Sequence, residues 1–420
     1  MSKPTLLFRG PVKTLSGYGS HSRDLLKSLY DMDLFEIYID SSNWGSTPMT
    51  ALEPETNLFH LWIEENIISQ TISQPDIYVQ VTVPNEFNRV GKYNIGITAG
   101  IETTVAAKSW IDGCNRMDKI ITTSTFSRDV LLQTVYNEND KVSGKLLKQH
   151  KIEVPLEILH EGVDTSVYNN IPNDFKLDIE EDFAYLFVGH WLTGKIGHDR
   201  KDVGMLIKCF CDSFNDTEDS PALILKTSSA TFSVKQREYL REKITNITKH
   251  YTNPPSIYLL FGQLTDDEMN GLYNHPKVKS MVTITKGEGY GRPLLEYTMT
   301  GKPVIASNWS GHKDFLPMDK AIMIGGKLVE VDESATNDFI LKNSKWFTSN
   351  YGEVIEVFKI VHRDYETFLE RSESLRLENM DNFSIESITE KFRLIMEPLL
   401  TSKPKQVKLN IPKLKKIEKE

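Results

Sequence analysis

The stretch KSMVTITKGEGYGRPLLEYTMTGKPVIASNWSGHKDFL runs from Lys279 to Leu316 and changes its local pattern several times. Met281–Thr285 is β-branched and reads as a strand. Gly287-Glu288-Gly289-Tyr290-Gly291 breaks it into a glycine-rich turn. A helix is expected from Pro293 to about Thr300, because proline suits the first helical turn, where its missing N–H is no loss. A strand at Pro303–Ser307 and a turn at Ser310-Gly311 complete the unit. Glu288 and Glu296 lie eight positions apart across the strand-to-helix join. Glycines before a helix N-terminus let backbone N–H groups approach an anion, so the stretch suits a phosphorylated, polyhydroxylated ligand at a sheet edge.

The same alternation runs through most of the chain. In the first half the expected strands are Thr5–Phe8, Phe35–Ile39, Asp76–Val83, Tyr93–Thr98, Lys119–Thr122 and Val154–Leu159. Helices are expected at His21–Tyr30, Val105–Arg116 and Thr125–Val135. Residues 43–75 look irregular apart from a helical pattern at Leu61–Ser69, and Asn137–Lys151 reads as a lysine-rich exposed link. The polar segment Asn169–Asp182, with Pro172 and five acidic residues, interrupts the pattern. Strands then resume at Tyr185–Gly189, Ala222–Lys226 and Ser256–Gly262, and helices at Val203–Phe214, Ser233–Thr248 and Asp266–Tyr273, with closing helices at Thr348–Phe368 and Ser384–Leu399. The expected division is a first domain over 1–172, a second over 173–380, a closing helix over 381–400 and an aperiodic tail over 401–420. Alternating strands and helices imply parallel sheets joined by crossovers, an α/β class with two Rossmann-like, doubly wound domains. Two such sheets facing each other would bound a deep interdomain cleft with their strand C-terminal ends, where ligands bind in this architecture.

A chain of 420 residues is too long for one ordinary core. Its 25% charged and 39% hydrophobic residues are those of a globular protein. The net charge is −9, but the last twenty residues carry seven lysines and two glutamates, +5, which leaves −14 on residues 1–400. So acidic a body is unsuited to gripping a polyanion. Cys114, Cys209 and Cys211 form no disulfide framework, and a reducing cytoplasm is the expected setting. The first residues pass straight into a strand without a signal-peptide apolar region, and no apolar run approaches the roughly 20 residues that span a bilayer.

EGYGRPLLE, residues 288–296, resembles at all its fixed positions the E-x7-E signature of retaining nucleotide-sugar glycosyltransferases with the two-domain GT-B fold. GKPVIASNWSG, residues 301–311, resembles the G-x-P-V-I-A-x-x-x-x-G that follows it in glycosyltransferase family 4, which includes sucrose synthase and many bacterial cell-surface transferases. At the level of fold and motifs the resemblance covers nearly all of residues 4–400. It implies a retaining, metal-independent transferase with no cofactor, its donor substrate a nucleoside diphosphate sugar and a UDP-sugar first. By the same resemblance Glu288 contacts donor-sugar hydroxyls, Glu296 accepts hydrogen bonds from the ribose hydroxyls, and the backbone at Gly289, Tyr290, Gly291 and Arg292 lines the sugar and phosphate site. Arg200-Lys201 resembles the family's cationic pair that neutralises the diphosphate. The loop before it is longer than usual and His190 stands where an arginine often does, so Arg200, Lys201 and Lys195 compete for those roles, with Lys201 first. Ser16-Gly17-Tyr18-Gly19 resembles the first-domain glycine loop, which puts Gly17 and Gly19 near the donor phosphates. GITAGIETT, residues 96–104, carries Glu102 where many relatives carry a histidine; it is read either as a contact to donor or acceptor or as a helix-capping acid. ILHEGVD, residues 158–164, resembles the strand end before the interdomain linker.

Asp31-Met32-Asp33 spells the DxD of metal-dependent GT-A transferases, but it falls in a turn between a helix and a strand and is read as that turn. No His/Cys/carboxylate cluster has zinc spacing. The acceptor stays open between a saccharide, a glycan, a protein and a modified DNA base. The last arises because SGYGSHSRD and GITAGIETT…WIDGCNRMD resemble transferases of tailed phages, some of which glycosylate hydroxymethylcytosine. The basic tail is read as solvated, or as a contact to DNA, a membrane surface or a partner through its interleaved Val407, Leu409, Ile411, Leu414 and Ile417. Two other activities fit the same motifs, a non-catalytic nucleotide-sugar-binding protein and a sugar-nucleotide epimerase.

Overall fold

The computed structural model describes residues 3–69, 73–192, 194–228 and 232–401, so the expectation of a basic tail falls outside the described residues. The first half contains β1 (Thr5–Gly10), α1 (Gly17–Met32), β2 (Glu36–Ser41), α2 (Leu58–Asn66), β3 (Ile77–Val81), β4 (Tyr93–Thr98), α3 (Lys108–Cys114), β5 (Lys119–Thr122), α4 (Thr125–Gln133), β6 (Tyr136–Asn139), β7 (Leu146–His150) and β8 (Leu156–Ile158). Its sheet has the order β2-β1-β3-β4-β5-β8, with every pair parallel. The chain therefore grows outward from β1 in one direction and then restarts beside it with β3. All five residues of β3 are buried, as a parallel strand covered on both faces requires.

The second half repeats this plan with β9 (Ala184–His190), α5 (Val203–Phe214), β10 (Ala222–Ser228), α6 (Val234–Thr248), β11 (Ile257–Leu260), α7 (Asp266–Asn274), β12 (Val278–Thr283), α8 (Arg292–Thr298), β13 (Val304–Ser307) and β14 (Ile322–Ile324). The order is β11-β10-β9-β12-β13-β14, again parallel, with the reversal at β9/β12. The hairpin β15 (Gly326–Glu330) and β16 (Lys345–Ser349) follows, then α9 (Tyr351–Arg363), α10 (Leu369–Phe383), α11 (Ile385–Met396) and α12 (Pro398–Thr401). Two doubly wound sheets are what the alternation predicted.

Several boundaries differ from the sequence reading, each for a local reason. Asn137–Lys151 is not a plain link but the antiparallel hairpin β6–β7, closed by Asp140 accepting from the amides of Val142 and Ser143. Thr348–Phe368 is not one helix: β16 runs to Ser349, Asn350 caps α9, and α9 ends at Arg363. The expected helix at Val105–Arg116 begins only at Lys108, because the backbone at Thr104 pairs with Lys345 of the β15–β16 hairpin. Asn57 caps α2 and starts it three residues before the expected Leu61. Asp31-Met32-Asp33 is the end of α1, with Asp33 in the left-handed region as its C-cap.

The C-terminal helices return to the first domain. Ile388, Phe392, Ile395 and Met396 of α11 are buried in the same core as Leu25, Leu26 and Leu29 of α1. Ser28 and Thr389 share a buried hydrogen bond of 2.8 Å across that contact. The first domain's core is thus completed by α11, from near the end of the described chain. Phe392 is fully buried there, so Phe392→Ala should cost roughly 3–5 kcal/mol in urea-unfolding stability, whereas a loss under about 1 kcal/mol would mean that α11 is peripheral to this core.

Candidate active site

Both sheets turn their strand C-terminal ends toward a cleft of about 570 Å³. Its first-domain wall includes Gly17, Tyr18, Ala99, Gly100 and Glu102; its second-domain wall includes Gly189, His190, Arg200, Lys201, Glu288 and Gly291. The loops after β9 and β12 carry Arg200, Lys201 and Glu288, so these three meet at the second sheet's reversal point, where α/β sheets hold ligands.

Short backbone bonds set the position of this cluster. The Lys286 amide donates to the Arg200 carbonyl at 2.7 Å, and the Thr285 hydroxyl donates to the same oxygen at 3.2 Å. Behind them Asp202, in the left-handed region at φ 54°, pairs with the buried Lys286 at 3.0 Å and accepts from the Tyr351 hydroxyl at 2.7 Å. Arg200 and Lys201 are thereby anchored on the side facing away from the cleft.

Glu288 bridges both cations. One carboxylate oxygen accepts from Lys201 Nζ and the other from Arg200 Nη1 at 3.2 Å. Arg200 also donates to the Gly287 carbonyl at 2.9 Å and lies 3.7 Å from Glu102, which reaches in from the first domain. Burial alone would raise Glu288, but Lys201 and Arg200 overcome it and hold its carboxyl down to about 2. Two cations and two carboxylates make a neutral cluster from both domains.

The glycines have a reason that the motif alone does not supply. A Cβ on Gly287 would sit 2.0 Å from the Glu102 carbonyl, and one on Gly289 would sit 2.2 Å from the Ala99 carbonyl. Here the two domains approach backbone to backbone. Ser124 Oγ donates to the Gly289 carbonyl at 2.6 Å, the Thr125 amide donates to Asp314 at 2.7 Å, and the Tyr290 hydroxyl donates to the Glu161 carbonyl at 2.8 Å.

Arg292 centres a second cluster. Its guanidinium pairs with Asp24 of α1, donates to Glu296 at 2.8 Å and lies 3.8 Å from Glu161. Glu296 is buried, also accepts from the Tyr273 hydroxyl at 3.3 Å, and is not among the residues lining the cavity. Burial, partly opposed by Arg292, lifts Glu296 to about 7. Burial likewise lifts Glu161 to about 8, with Arg292 opposing and Asp24 and Glu296 adding to it. Three carboxylates around one guanidinium cannot all stay ionised cheaply in so dry a place. His21 lines the cleft beside them, with neither ring nitrogen hydrogen-bonded; burial and Arg292 lower it to about 3 and keep it neutral.

The sequence-derived residues thus divide. Gly17, Glu102, Arg200, Lys201, Glu288, Gly289, Tyr290, Gly291 and Arg292 line one cleft. Gly19 lies beneath it, packed so closely on Thr14 that a Cβ would stand 2.2 Å from that carbonyl. Lys195 is exposed, with its amide against Ser334 at 3.4 Å, and is not among the cleft-lining residues. The motifs did not single out Tyr18 stacked on Trp44 at 4.1 Å, or His21, Lys226 and Glu161, which also line the cleft. Glu161 stood inside the quoted ILHEGVD run and His21 two residues after Gly19, but no spacing marks either one. Among the described residues no His, Cys, Asp and Glu group could hold a metal ion, and no helix is long and apolar enough to cross a membrane.

No protein-family model matches this sequence, and no curated protein does. Solved structures do match. HepE from Anabaena, in complex with UDP and glucose, superposes with a TM-score of 0.63 at 12% identity, over 94% of this chain and 100% of that one. The sucrose-phosphate synthase of Thermosynechococcus elongatus gives 0.59 at 12% identity, over 94% and 99%. A glycosyltransferase of Rickettsia africae gives 0.55 at 13% identity, over 96% and 100%. The chain has the GT-B fold of these proteins.

The carboxylate cluster sets a pH dependence of stability. Folded Glu161 holds its proton up to about pH 8, whereas the unfolded chain releases it near 4.5, so stability declines as pH rises between those values. Glu161→Gln keeps the neutral form at every pH. The melting temperature of the wild type should therefore fall between pH 5 and pH 8.5 by at least roughly 2 °C more than that of the variant, and parallel curves would contradict the assignment.

Proposed function

We propose that the protein is a retaining glycosyltransferase that moves a sugar from a nucleoside diphosphate sugar, a UDP-sugar first, to an acceptor hydroxyl. The observation that carries this reading is the Lys201–Glu288–Arg200 cluster at the second sheet's reversal point, facing the first domain across the cleft. UDP and glucose in the HepE complex support the donor class.

In this reading the carbon–oxygen bond between the anomeric carbon and the diphosphate breaks, and the acceptor oxygen bonds that carbon on the same face. The acceptor proton leaves on the departing phosphate. Lys201 and Arg200 stabilise the charge that grows on the diphosphate, at positions fixed before the donor arrives. Glu288 is held ionised by the same cations, so it offers sugar hydroxyls two acceptor oxygens and the oxocarbenium-like carbon a compensating charge. Glu296 spends one contact on Arg292 and one on Tyr273 and lies behind the cavity wall next to cleft-lining Arg292, so a ribose contact requires the bound donor to open the Arg292–Glu296 pair. Phe232 and Met269 at the second-domain end of the cavity offer apolar surface to a base.

Removing Lys201 takes away charge compensation in the transition state, whereas removing Glu288's charge spares the phosphate contacts. Lys201→Ala should lower turnover of the best donor at least about a hundredfold. Glu288→Gln should lower it comparably while donor hydrolysis falls in step. Both are read by release of the nucleoside diphosphate from a panel of UDP-, GDP- and ADP-sugars. Wild-type rates in both variants would refute the site, and thermal shift with no donor of the panel would refute the donor class.

A further inference from the structure

His21 stands in the second turn of α1, four residues after Gly17 and three before Asp24. Side chains at this spacing share one face of a helix. Gly17 and His21 both line the cleft, and Asp24 pairs with Arg292 across the interface, so this face looks at the second domain. Arg292 is also the charge that acts on the imidazole. His21 thus belongs with the Arg292 cluster rather than with the cation pair.

A buried imidazole without partners is costly. His21 is 2% exposed, and neither ring nitrogen has a hydrogen-bond partner among the described residues. Each unmet group carries the full penalty of its desolvation. His312 is as deeply buried in the second domain, yet it donates one ring N–H to the Ser307 carbonyl at 2.6 Å. Packing gives no reason for the difference, since the residues that seat α1 on its core are Leu25, Leu26 and Leu29. An apolar side chain at position 21 would serve that purpose better. A polar ring kept at such a cost in a cavity wall points to a ligand, because stability is lost for function at sites of this kind.

The surroundings select the ligand group. The ring is neutral, with one nitrogen donating and the other accepting, so it offers a phosphate no charge. Asp24, Glu161 and Glu296 crowd Arg292 and leave no excess positive charge for an anion. A hydroxyl is donor and acceptor at once and can meet either nitrogen. Glu296, assigned above to the ribose, is in this cluster, whereas Glu288 and the cation pair form the other. We propose that His21 is a nucleotide contact supplied by the first domain, that it hydrogen-bonds a ribose hydroxyl once the donor has opened the Arg292–Glu296 pair, and that it selects ribonucleotides over deoxyribonucleotides. The contact rests on the transferase reading; the cost of the unpartnered ring does not.

Two variants separate this role from packing. His21→Leu removes both nitrogens and keeps a side chain of similar size, whereas His21→Gln keeps a donor and an acceptor. UDP, 2′-deoxy-UDP and 3′-deoxy-UDP are titrated calorimetrically into the full chain and both variants, and each protein is melted without ligand. His21→Leu should melt no lower than the wild type, since it relieves two unmet polar groups, and should bind UDP at least about tenfold more weakly. That weakening should shrink to under about threefold with at least one deoxy analogue, which lacks the hydroxyl concerned, and His21→Gln should bind UDP at least about threefold more tightly than His21→Leu. Equal weakening for all three nucleotides would place the contact off the ribose, and a melting temperature lowered by more than about 5 °C in His21→Leu would make the ring a packing element; either result overturns the proposal. UDP binding equal in wild type and His21→Leu overturns the contact alone. No UDP binding by the wild type would overturn the donor reading and the contact with it.

Discussion

At Gly287 and Gly289 the two domains meet with no room for a side chain between them, and the geometry of the cleft follows from that contact. The loop carrying Glu288 lies on the backbone of residues 99–102, which fixes how far the second sheet's strand ends stand from the first's. Ser124 and Tyr290 close hydrogen bonds around it, and Thr104 pairs with Lys345 on the hairpin beside it. A β-carbon at either glycine would have to push the domains apart. The same contact brings Glu102 within 3.7 Å of Arg200, so both domains contribute charge to one cluster.

Charge compensation is the second organising feature. Lys201 and Arg200 are nearly buried and would be costly without partners; Glu288 and Glu102 supply them. The opposite imbalance surrounds Arg292, where Asp24, Glu161 and Glu296 crowd one guanidinium and burial raises all three. Both clusters straddle the interface. One cluster balances two cations with two carboxylates and the other sets one guanidinium against three, so the charge along the interface is uneven.

Much of the fold is legible in the sequence. Strands such as Tyr93–Thr98 and helices such as Val203–Phe214 declared themselves because parallel strands buried on both faces and amphipathic crossovers leave plain periodic patterns. Glu288, Arg200 and Lys201 were legible because motif spacing encodes loops that follow neighbouring strands. What escaped depended on partners distant in sequence. Nothing in GEG says that its glycines face Ala99 and Glu102, and nothing in HEGVD says that Glu161 shares a guanidinium with Asp24. The hairpin at Tyr136–His150 was hidden because its exposed strands lack an apolar face, and the break between Ser349 and Tyr351 because a cap residue, Asn350, decides it.

In the proposed function Glu288 is the resident anion of a cation pair, Lys201 and Arg200, that receives the donor diphosphate. Calorimetric titration of UDP, which lacks the sugar, into the wild type and Glu288→Gln tests it most directly. With the competing carboxylate neutralised, Lys201 and Arg200 are released to the phosphates, so the variant should bind UDP at least as tightly as the wild type and up to about tenfold more tightly. UDP affinity reduced tenfold or more by Glu288→Gln would contradict the account and make Glu288 a structural support of the site.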